Sequence, residues 1–283
     1  MPIDSTVIIA TYNRKGLLKK TLLALARQTS DTFDVIVASD GSSDGSKEMV
    51  LSLRSSLPYS IQWIEQEDDG FRKSLILNKA ALIAKGKQLV FLDDDCIPCL
   101  SFVSAHQQYF QANALVFAKF IGVRQKYRSL FEDSVIDSGE FERVFNWLER
   151  LDLWFWHIKY QRWIKQNHPV RPKLNGCNFS VCKTAMLAVN GYDLDFTGWG
   201  FEDNDLRRRL LAQGVVQKEA VYTARVYNLA TDKFKDETGI ASTVQHVDEM
   251  LRDNNKAMSK DIGRPLACTN GLNQINVADI EIV

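Results

Sequence analysis

Short apolar runs alternate with segments of helical periodicity in the first third of the chain. The apolar runs predict strands at residues 6–10, 34–38, 61–64 and 89–92. Between the first two runs, Leu18, Leu22 and Leu25 recur at the spacing of one helix face. Similar patterns predict a helix that ends near Leu53 and another over 74–84. This alternation predicts an α/β fold, with a parallel sheet covered by helices on both faces.

A polar cluster follows each of these predicted strands. The clusters are residues 11–14, 40–44, 65–72 and 93–95. The carboxyl ends of parallel strands meet at one edge of a sheet, and ligands of α/β proteins bind beyond that edge. The clusters therefore bring acids, glycines and arginines to one rim and predict a binding site there.

The acidic triplet Asp93-Asp94-Asp95 directly follows the apolar run that ends at Leu92. We expect these carboxylates to face a cleft, because unpaired carboxylates are costly in a core. Oxygen ligands suit hard cations such as Mg²⁺ or Mn²⁺, and such an ion in turn suits a diphosphate. The alternative interpretation is a polar loop whose first acid caps the next helix.

A second helical pattern runs from Phe141 to Ile158 and is rich in aromatic residues. Between Leu153 and Tyr192 the chain contains several Lys and Arg but no Asp or Glu. One interpretation is a pair of helices whose aromatic side chains fill a core. The other is an exposed surface for a membrane interface or for an anionic acceptor.

Composition and charge make several classes of protein less suitable, among them nucleic-acid-binding, membrane-spanning and zinc-binding proteins. The 283 residues carry 35 Lys and Arg against 35 Asp and Glu, so the net charge does not favour a nucleic-acid partner. No apolar run approaches ~18 residues and the first residues show no signal-peptide pattern, so we expect a cytoplasmic protein. The five cysteines favour free thiols, and the Cys96–Cys99 pair lacks the second pair that a zinc site needs.

Ordered motifs along the chain carry a family resemblance. On the donor side they are residues 7–14, 38–44, 66–72 and 93–95. On the acceptor side they are residues 175–180 and 196–203. Together they resemble glycosyltransferase family two, and the acceptor side is similar to chondroitin polymerase and the β-1,4-galactosyltransferases. The resemblance covers about residues 5–125 and 173–230, and it implies a GT-A (Rossmann-like) fold and a nucleotide-diphosphate sugar as donor.

The extent of the resemblance, together with the segments that it leaves out, divides the chain into four predicted parts. We expect a nucleotide-sugar-binding subdomain over 1–125 and a helical aromatic and basic insertion over 126–172. An acceptor-side catalytic subdomain over 173–230 and a C-terminal helical extension over 231–283 would follow.

The family motifs also imply roles on the donor side. The nucleotide-sugar-binding residues would be Thr11, Tyr12, Arg14, Asp40, Gln66, Asp68, Arg72, Asp93 and Asp94. Asp40 would read the nucleoside, typically uracil, and Asp93 would bond the ribose. Arg72 and Lys73 suit the diphosphate, since a guanidinium forks onto phosphate oxygens. For Arg72 the alternative is a surface ion pair.

The resemblance implies a divalent metal, Mn²⁺ or Mg²⁺, held by Asp95. Family members often add a His from a Tyr-His-Leu segment, and here that segment reads Tyr227-Asn228-Leu229. Asn228 would then be the second ligand, although an amide oxygen binds Mn²⁺ more weakly than imidazole does. His246 is a further candidate from another element.

On the acceptor side the resemblance assigns the chemistry to Asp203 and Glu202. Asp203 would take the proton from the acceptor hydroxyl, while Glu202 would bond a sugar. Trp199 and Gly198 would bind the acceptor. The spacing after Glu202 predicts that a helix starts there, so a helix cap without chemistry is the alternative. The resemblance also implies a single base and no nucleophilic carboxylate, and therefore one in-line displacement with inversion.

The implied function is an inverting, metal-dependent glycosyltransferase. It would move a sugar from a UDP-sugar, the default donor, to a glycan or lipid-linked acceptor in bacterial-type surface polysaccharide or lipopolysaccharide synthesis. It would be cytoplasmic, with peripheral contact at the inner face of the cytoplasmic membrane. The alternatives are a non-catalytic nucleotide-sugar-binding partner subunit, which the substituted Asn228 favours, and a sugar-phosphate nucleotidyltransferase. The latter typically has a glycine-rich loop, which residues 11–16 lack.

Overall fold

A computed structural model describes residues 3–229, 249–260 and 264–283. The strands in this part of the chain are β1 (Ser5–Thr11), β2 (Phe33–Ser39), β3 (Ser60–Glu65), β4 (Gln88–Asp93), β5 (Cys96–Pro98), β6 (Ala114–Phe117), β7 (Phe120–Gly122), β8 (Asn178–Cys182), β9 (Val216–Glu219) and β10 (Val226–Asn228). The helices are α1 (Lys15–Leu25), α2 (Ser46–Leu53), α3 (Lys73–Ile83), α4 (Phe102–Gln108), α5 (Asp133–Ser138), α6 (Trp147–Lys165), α7 (Lys183–Ala188), α8 (Glu202–Ala212) and α9 (Glu249–Lys260).

The main sheet has the strand order β3-β2-β1-β4-β8-β6-β9 within the described residues. Its first four strands are parallel, as the alternation of strands and helices predicts. Consecutive residues of β1, from Val7 to Ile9, are fully buried, so both faces of the sheet are covered. The expected α/β fold is therefore confirmed, and the polar clusters lie at the carboxyl ends of these strands.

The second half of the sheet is mixed, whereas the parallel arrangement predicted from the first third of the chain holds for the first four strands. Strand β8 pairs antiparallel with both β4 and β6, and β9 then runs parallel to β6. Phe179 of β8 stacks on Phe91 of β4, with ring centroids 4.5 Å apart. The acceptor-side segment is thereby built into the donor-side sheet, so the two sets of motifs share one rim.

A small second sheet brings Asn228 to the acidic triplet. In the described part of the chain it consists of β5, β10 and β7, with β10 in the middle. Asn228 lies opposite Cys96 in the antiparallel pair of β10 and β5. The backbone N–H of Leu229 donates to the Asp95 carbonyl at 2.9 Å. This register holds Asn228 beside Asp95 although the two are far apart in sequence.

The insertion is helical, and its aromatic residues are divided: some, such as Tyr160, are buried in the core, while others are exposed. Phe141 is buried in a short 3₁₀ turn, and the long helix α6 starts only at Trp147. It starts there because the Asn146 side chain caps it, accepting from Leu148 N at 2.9 Å. The large apolar residues of its outer face are exposed: Trp147, Leu148, Leu151, Trp154, Phe155 and Ile158. We call these six residues the α6 stripe.

The last described segments fold back onto the body of the protein. Asn255 of α9 is buried, and its amide donates to the Thr197 carbonyl at 2.8 Å. Val283 exchanges two backbone hydrogen bonds with Trp63 of β3, at 2.9 and 3.0 Å. His246 lies outside the described residues. No helix in the described ranges is both long and apolar enough to cross a bilayer.

Candidate active site

The first cluster at the rim surrounds Asp40, at the end of β2. The Asp40 carboxylate is buried and accepts hydrogen bonds from Gln66 Nε2 at 2.6 Å and from the Arg72 backbone N–H at 2.8 Å. Burial raises the pKa of Asp40, and these two bonds oppose the rise. Gln66 Oε1 is buried without a hydrogen-bond partner in the described part of the structure. The cluster thus offers both an acceptor carboxylate and a spare amide oxygen.

Gly41 lets the next loop close over this cluster. A Cβ on Gly41 would lie 2.6 Å from the backbone of Asp68, and the glycine has a φ of +86°. Glycine is therefore required twice, for space and for backbone conformation. The Asp68 carboxylate in turn accepts from the hydroxyl of Tyr12 at 2.8 Å. The structure thus brings together the predicted residues Asp40, Gln66, Asp68 and Tyr12.

The second cluster joins the end of β1 to the acidic triplet. The Thr11 hydroxyl donates to Asp94 Oδ2 at 2.8 Å. Arg14 Nη1 lies 2.7 Å from Asp95 Oδ2 and 3.3 Å from Asp94 Oδ1. Burial raises the pKa of Asp94, while the charge of Arg14 lowers it. These acids face the rim and are not helix caps, because no helix begins at the triplet.

Asp95 and Asn228 are adjacent, as the family pattern implies. Asn228 Nδ2 donates to Asp95 Oδ1 at 3.1 Å and to the Cys96 thiol at 3.3 Å. To offer its oxygen to a cation at Asp95, Asn228 must turn its amide over. All five cysteines are free, and Cys96 is fully buried.

The side chains of Asp95 and Asn228 fit a cation that takes few ligands from the protein and most from a bound diphosphate and water. No three His, Cys, Asp or Glu side chains of the described residues are grouped to hold a metal ion. Mg²⁺ in phosphate sites commonly takes one or two protein carboxylates and completes its shell with phosphate oxygens and water. One carboxylate, Asp95, with one amide oxygen, from Asn228, matches this pattern of hard oxygen ligands.

The two basic residues expected at the diphosphate have different surroundings. Arg72 donates to the Glu67 carbonyl at 2.6 Å and pairs with Asp69 at 3.2 Å, which corresponds to the surface ion pair named as its alternative. Lys73, the first residue of α3, instead has its Nζ 2.5 Å from Asp93 Oδ1. Lys73 also lies in the electrostatic field of Asp203.

The third cluster is the buried carboxylate pair at the start of α8. Asp203 Oδ2 accepts from the Gly176 N–H at 2.9 Å, and Oδ1 accepts from the Tyr192 hydroxyl at 3.1 Å. Burial raises the pKa of Asp203 to about 6, with Lys73 opposing the rise. Burial and the charge of Asp203 raise the pKa of Glu202 as well. Glu202 Oε2 is buried and has no hydrogen-bond partner in the described residues.

Two residues of this cluster, Gly176 and Tyr192, are missing from the predicted site residues, and a third, Lys73, was expected to contact the diphosphate. Gly176 lies within an acceptor-side motif, so its position was a usable signal, but a glycine does not reveal that its N–H binds a carboxylate. Tyr192 has no motif that marks it. Nothing in the sequence shows that the ammonium group of Lys73 pairs with Asp93.

The predicted acceptor residues lie in a loop covered by α9. Gly198 has a φ of +73°, and a Cβ there would lie 3.2 Å from the side chain of Leu251. The Arg252 guanidinium covers one face of the Trp199 ring, 5.2 Å from its centroid, while Trp199 remains 42% exposed. Phe201, at the end of the loop, leads into α8 and the Glu202–Asp203 pair.

Comparison with known proteins supports the family suggested by these motifs. The model of glycosyl transferase family 2 matches residues 6–175. A second model, described as the N-terminal domain of galactosyltransferase, matches residues 160–233. The two matches together cover the three clusters at the rim.

Relatives with a named activity include two bacterial enzymes. Validoxylamine A glucosyltransferase of Streptomyces hygroscopicus subsp. jinggangensis is 31% identical over 239 residues, covering 74% of this chain and 52% of the relative. Chondroitin synthase of Escherichia coli is 26% identical over 226 residues, covering 74% of this chain and 32% of the relative. The chain thus spans about half or less of the length of these relatives.

Solved structures show the same fold at low identity. A mannosyltransferase from Pyrobaculum calidifontis, in complex with GDP-Man and Mn²⁺, aligns with a TM-score of 0.57 and 16% identity, over 82% of this chain and 59% of its own. S. aureus TarS 1-349 in complex with UDP-GlcNAc aligns with a TM-score of 0.51 and 16% identity, over 80% and 58% of the two chains. The GT-A fold is confirmed, and because the family model matches more than half of the sequence, the chain belongs to glycosyl transferase family 2.

Proposed function

We propose that the protein transfers a sugar from a nucleotide-diphosphate donor, UDP-sugar foremost, to a glycan or lipid-linked acceptor. The observation that carries the proposal is the convergence of the Asp40 cluster, the acidic triplet and the Glu202–Asp203 pair on one rim. Side by side, these three clusters would serve as a nucleoside pocket, a position for the diphosphate and its metal ion, and a buried base. The names of the relatives and the ligands of the solved structures agree with this assignment.

On the donor side, Asp40 and Gln66 would read the base. A uracil N–H can donate to Asp40, and the spare Gln66 Oε1 can accept another hydrogen bond. Asp93 would bond the ribose, with Asp95 and Asn228 holding Mn²⁺ or Mg²⁺. When bound, that ion would neutralise charge on the departing diphosphate.

On the acceptor side, Asp203 would act as general base. Its raised pKa makes it a stronger base than an ordinary aspartate, yet it stays ionised at neutral pH. Asp203 would remove the acceptor hydroxyl proton while that oxygen attacks the anomeric carbon and the bond to the nucleotide phosphate breaks. This single in-line displacement inverts the anomeric configuration, and Glu202 would bond one of the sugars.

Calorimetric titration with UDP, GDP and dTDP, each with and without Mn²⁺, tests the donor half. We expect metal-dependent binding of UDP that Asp95→Ala abolishes. A matched control is Asp31→Ala, an exposed aspartate outside the three clusters. If the folded protein binds none of these nucleotides, the donor assignment is overturned. If it binds UDP but never turns over a UDP-sugar, the non-catalytic partner subunit is the better assignment.

We further infer that the α6 stripe contacts the membrane that carries a lipid-linked acceptor. Monomeric soluble proteins rarely expose a continuous apolar patch of six large side chains. Two of them are tryptophans, which favour the membrane interface, and Arg150, Lys159, Arg162 and Lys165 on the same helix suit anionic headgroups. Charge complementarity therefore favours an anionic lipid surface as the partner.

Co-sedimentation with vesicles tests this contact. We expect binding to phosphatidylglycerol vesicles at low salt, weaker binding to phosphatidylcholine vesicles, and loss of binding in the double variant Trp154→Ser, Phe155→Ser. The matched control replaces Leu51 and Leu187, exposed apolar residues outside α6, by serine. Self-association through the stripe, seen by light scattering without vesicle binding, would overturn the membrane assignment.

A further inference from the structure

Lys73 occupies a central position among the carboxylates of the site. Its Nζ lies 2.5 Å from Asp93 Oδ1, on the donor side. It also interacts electrostatically with Asp203 and Glu202, on the acceptor side. Helix α3 starts at Lys73, and the backbone N–H of the preceding Arg72 donates to Asp40. The hydrogen bond between Arg72 and Asp40 thus holds the start of α3, and with it Lys73, next to the Asp40 cluster.

Negative groups outnumber positive groups near Lys73. The ammonium group is in contact with the carboxylate of Asp93, and the charges of Asp203 and Glu202 also act on it. Burial lowers the pKa of Lys73, but the charges of Asp93 and Asp203 raise it above its ordinary value, so Lys73 is a cation. A buried cation among carboxylates stabilises their ionised forms.

The groups that face Asp203 act in opposite directions. Burial raises the pKa of Asp203, and Asp93 raises it further by like-charge repulsion. Lys73 lowers it, as do the hydrogen bonds from the Tyr192 hydroxyl and the Gly176 N–H. Of these opposing groups, only Lys73 brings a full positive charge, and it also contacts Asp93.

We propose that Lys73 is a positioning residue that joins the two halves of the site, holding Asp93 for the donor and keeping Asp203 ready to accept a proton. The inference rests on the proposed function, because it assumes that Asp203 is the base. Without the ammonium group, Asp93 and Asp203 would repel each other across the site. Asp203 would then be protonated over a larger part of the working pH range.

The test uses the full chain labelled with ¹³C at the aspartate carboxyl carbons. The Asp203 signal is identified by its absence in Asp203→Asn. In Lys73→Met we expect its titration midpoint to move to higher pH by about one unit or more, as for loss of a nearby opposite charge. Lys73→Arg keeps the charge and should stay closer to the wild type. The matched control is Lys119→Met, because Lys119 pairs with Asp152 of α6, away from the clusters at the rim.

The pH profile of sugar transfer gives a second readout. We expect the acid limb of kcat for Lys73→Met to move to higher pH together with the NMR midpoint, so that raising the pH restores part of the rate. A purely structural role would lower the rate at every pH. A thermal melt of each variant checks folding, and Lys73→Gln replaces Lys73→Met if the latter does not fold.

The two proposals can fail separately. An unchanged Asp203 midpoint in folded Lys73→Met overturns the role of Lys73, whatever the activity. An equal shift in Lys73→Arg also overturns it, because packing and not charge would then be responsible. If the NMR midpoint moves as expected but no UDP-sugar is turned over, the electrostatic role of Lys73 stands and the proposed transfer reaction fails.

Discussion

Gly176 lies against the carboxylate proposed to act as base. A Cβ at this position would lie 2.7 Å from Asp203 Oδ2 and 2.8 Å from Oδ1. Gly176→Ala should therefore push the carboxylate away and break the bond from the Gly176 N–H. We expect the rate of sugar transfer to fall by about 100-fold, the size of effect that a misplacement of 1 Å can have.

Initial transfer rates and thermal melts test this prediction. The matched control is Gly16→Ala in α1, where a Cβ would meet open space and alanine is the better helix former. Full activity in a folded Gly176→Ala protein would show that sugar transfer does not depend on the contact between Gly176 and the Asp203 carboxylate.

Replacing a donor-side carboxylate and replacing an acceptor-side carboxylate should have different effects on UDP binding. Asp95→Ala removes the proposed metal ligand, so we expect it to lose Mn²⁺-dependent UDP binding and transfer together. Asp203→Asn keeps a side chain of the same size and should retain UDP binding while losing transfer. Calorimetry and transfer rates on the same preparations test this. Retained transfer in Asp203→Asn would exclude the proposed base.

The sequence motifs contain most of the residues that the structure brings to the rim. This is because each motif follows the end of a strand or begins a helix. Contacts made by long side chains are different. Lys73 and Tyr192 reach the site from elements whose relative placement depends on the whole sheet. Local sequence carries no signal for such contacts, so they became visible only in three dimensions.

At the scale of elements, α4 is attached to the sheet through a buried histidine. His106 Nδ1 lies 2.9 Å from the Ser180 hydroxyl, and Nε2 lies 3.2 Å from Asn178 Oδ1, both in β8. Burial lowers the pKa of His106 to about 4, while an unfolded histidine titrates near pH ~6.5. Between these values the unfolded chain binds a proton that the folded protein excludes.

Acidification through this window should therefore weaken the fold. Full loss between pH 7 and 4 corresponds to about 3 kcal/mol from His106. Denaturant unfolding at several pH values, compared between the wild type and His106→Gln, isolates the effect. Buried acids such as Asp94 shift stability in the opposite direction, but they contribute equally to both proteins. Equal pH slopes in the two proteins would contradict the prediction.

The elements of the first half were predictable and those of the second half only in part. Strands β1 to β4 are continuous apolar runs, and each is joined to the next by a helix, so pattern and order agree. Strand β8 enters between β4 and β6 from far along the chain, a pairing that local pattern cannot specify. The start of α6 was readable from Asn146, a favoured N-cap, but the apolar spacing from Phe141 obscured it.

At the scale of the whole molecule, α9 ties a distant part of the chain to the acceptor loop. The buried Asn255 amide donates to the Thr197 carbonyl, and Leu251 lies against Gly198. Asn255→Ala leaves that carbonyl without its partner, so we expect a loss of about 1–3 kcal/mol in stability. The loosened loop should raise KM for the acceptor without changing UDP binding.

Denaturant unfolding, calorimetry with UDP and acceptor kinetics test this prediction. The matched control is Asn254→Ala, because Asn254 is the exposed neighbour on the same helix. An acceptor KM that stays at the wild-type value would show that α9 supports the fold but not the acceptor loop.

In the part of the chain that the structure describes, one edge of the main sheet is partly covered and the other is short and charged. Backbone pairing with Val283 covers part of β3 at one edge, and the other edge is the short β9, which carries Lys218 and Glu219. Exposed edge strands promote aggregation, and short or charged edges prevent it. Val283→Pro removes the N–H that donates to the Trp63 carbonyl, so it would uncover part of this edge of the sheet. We therefore expect that variant to aggregate at lower protein concentration than the wild type, as measured by light scattering.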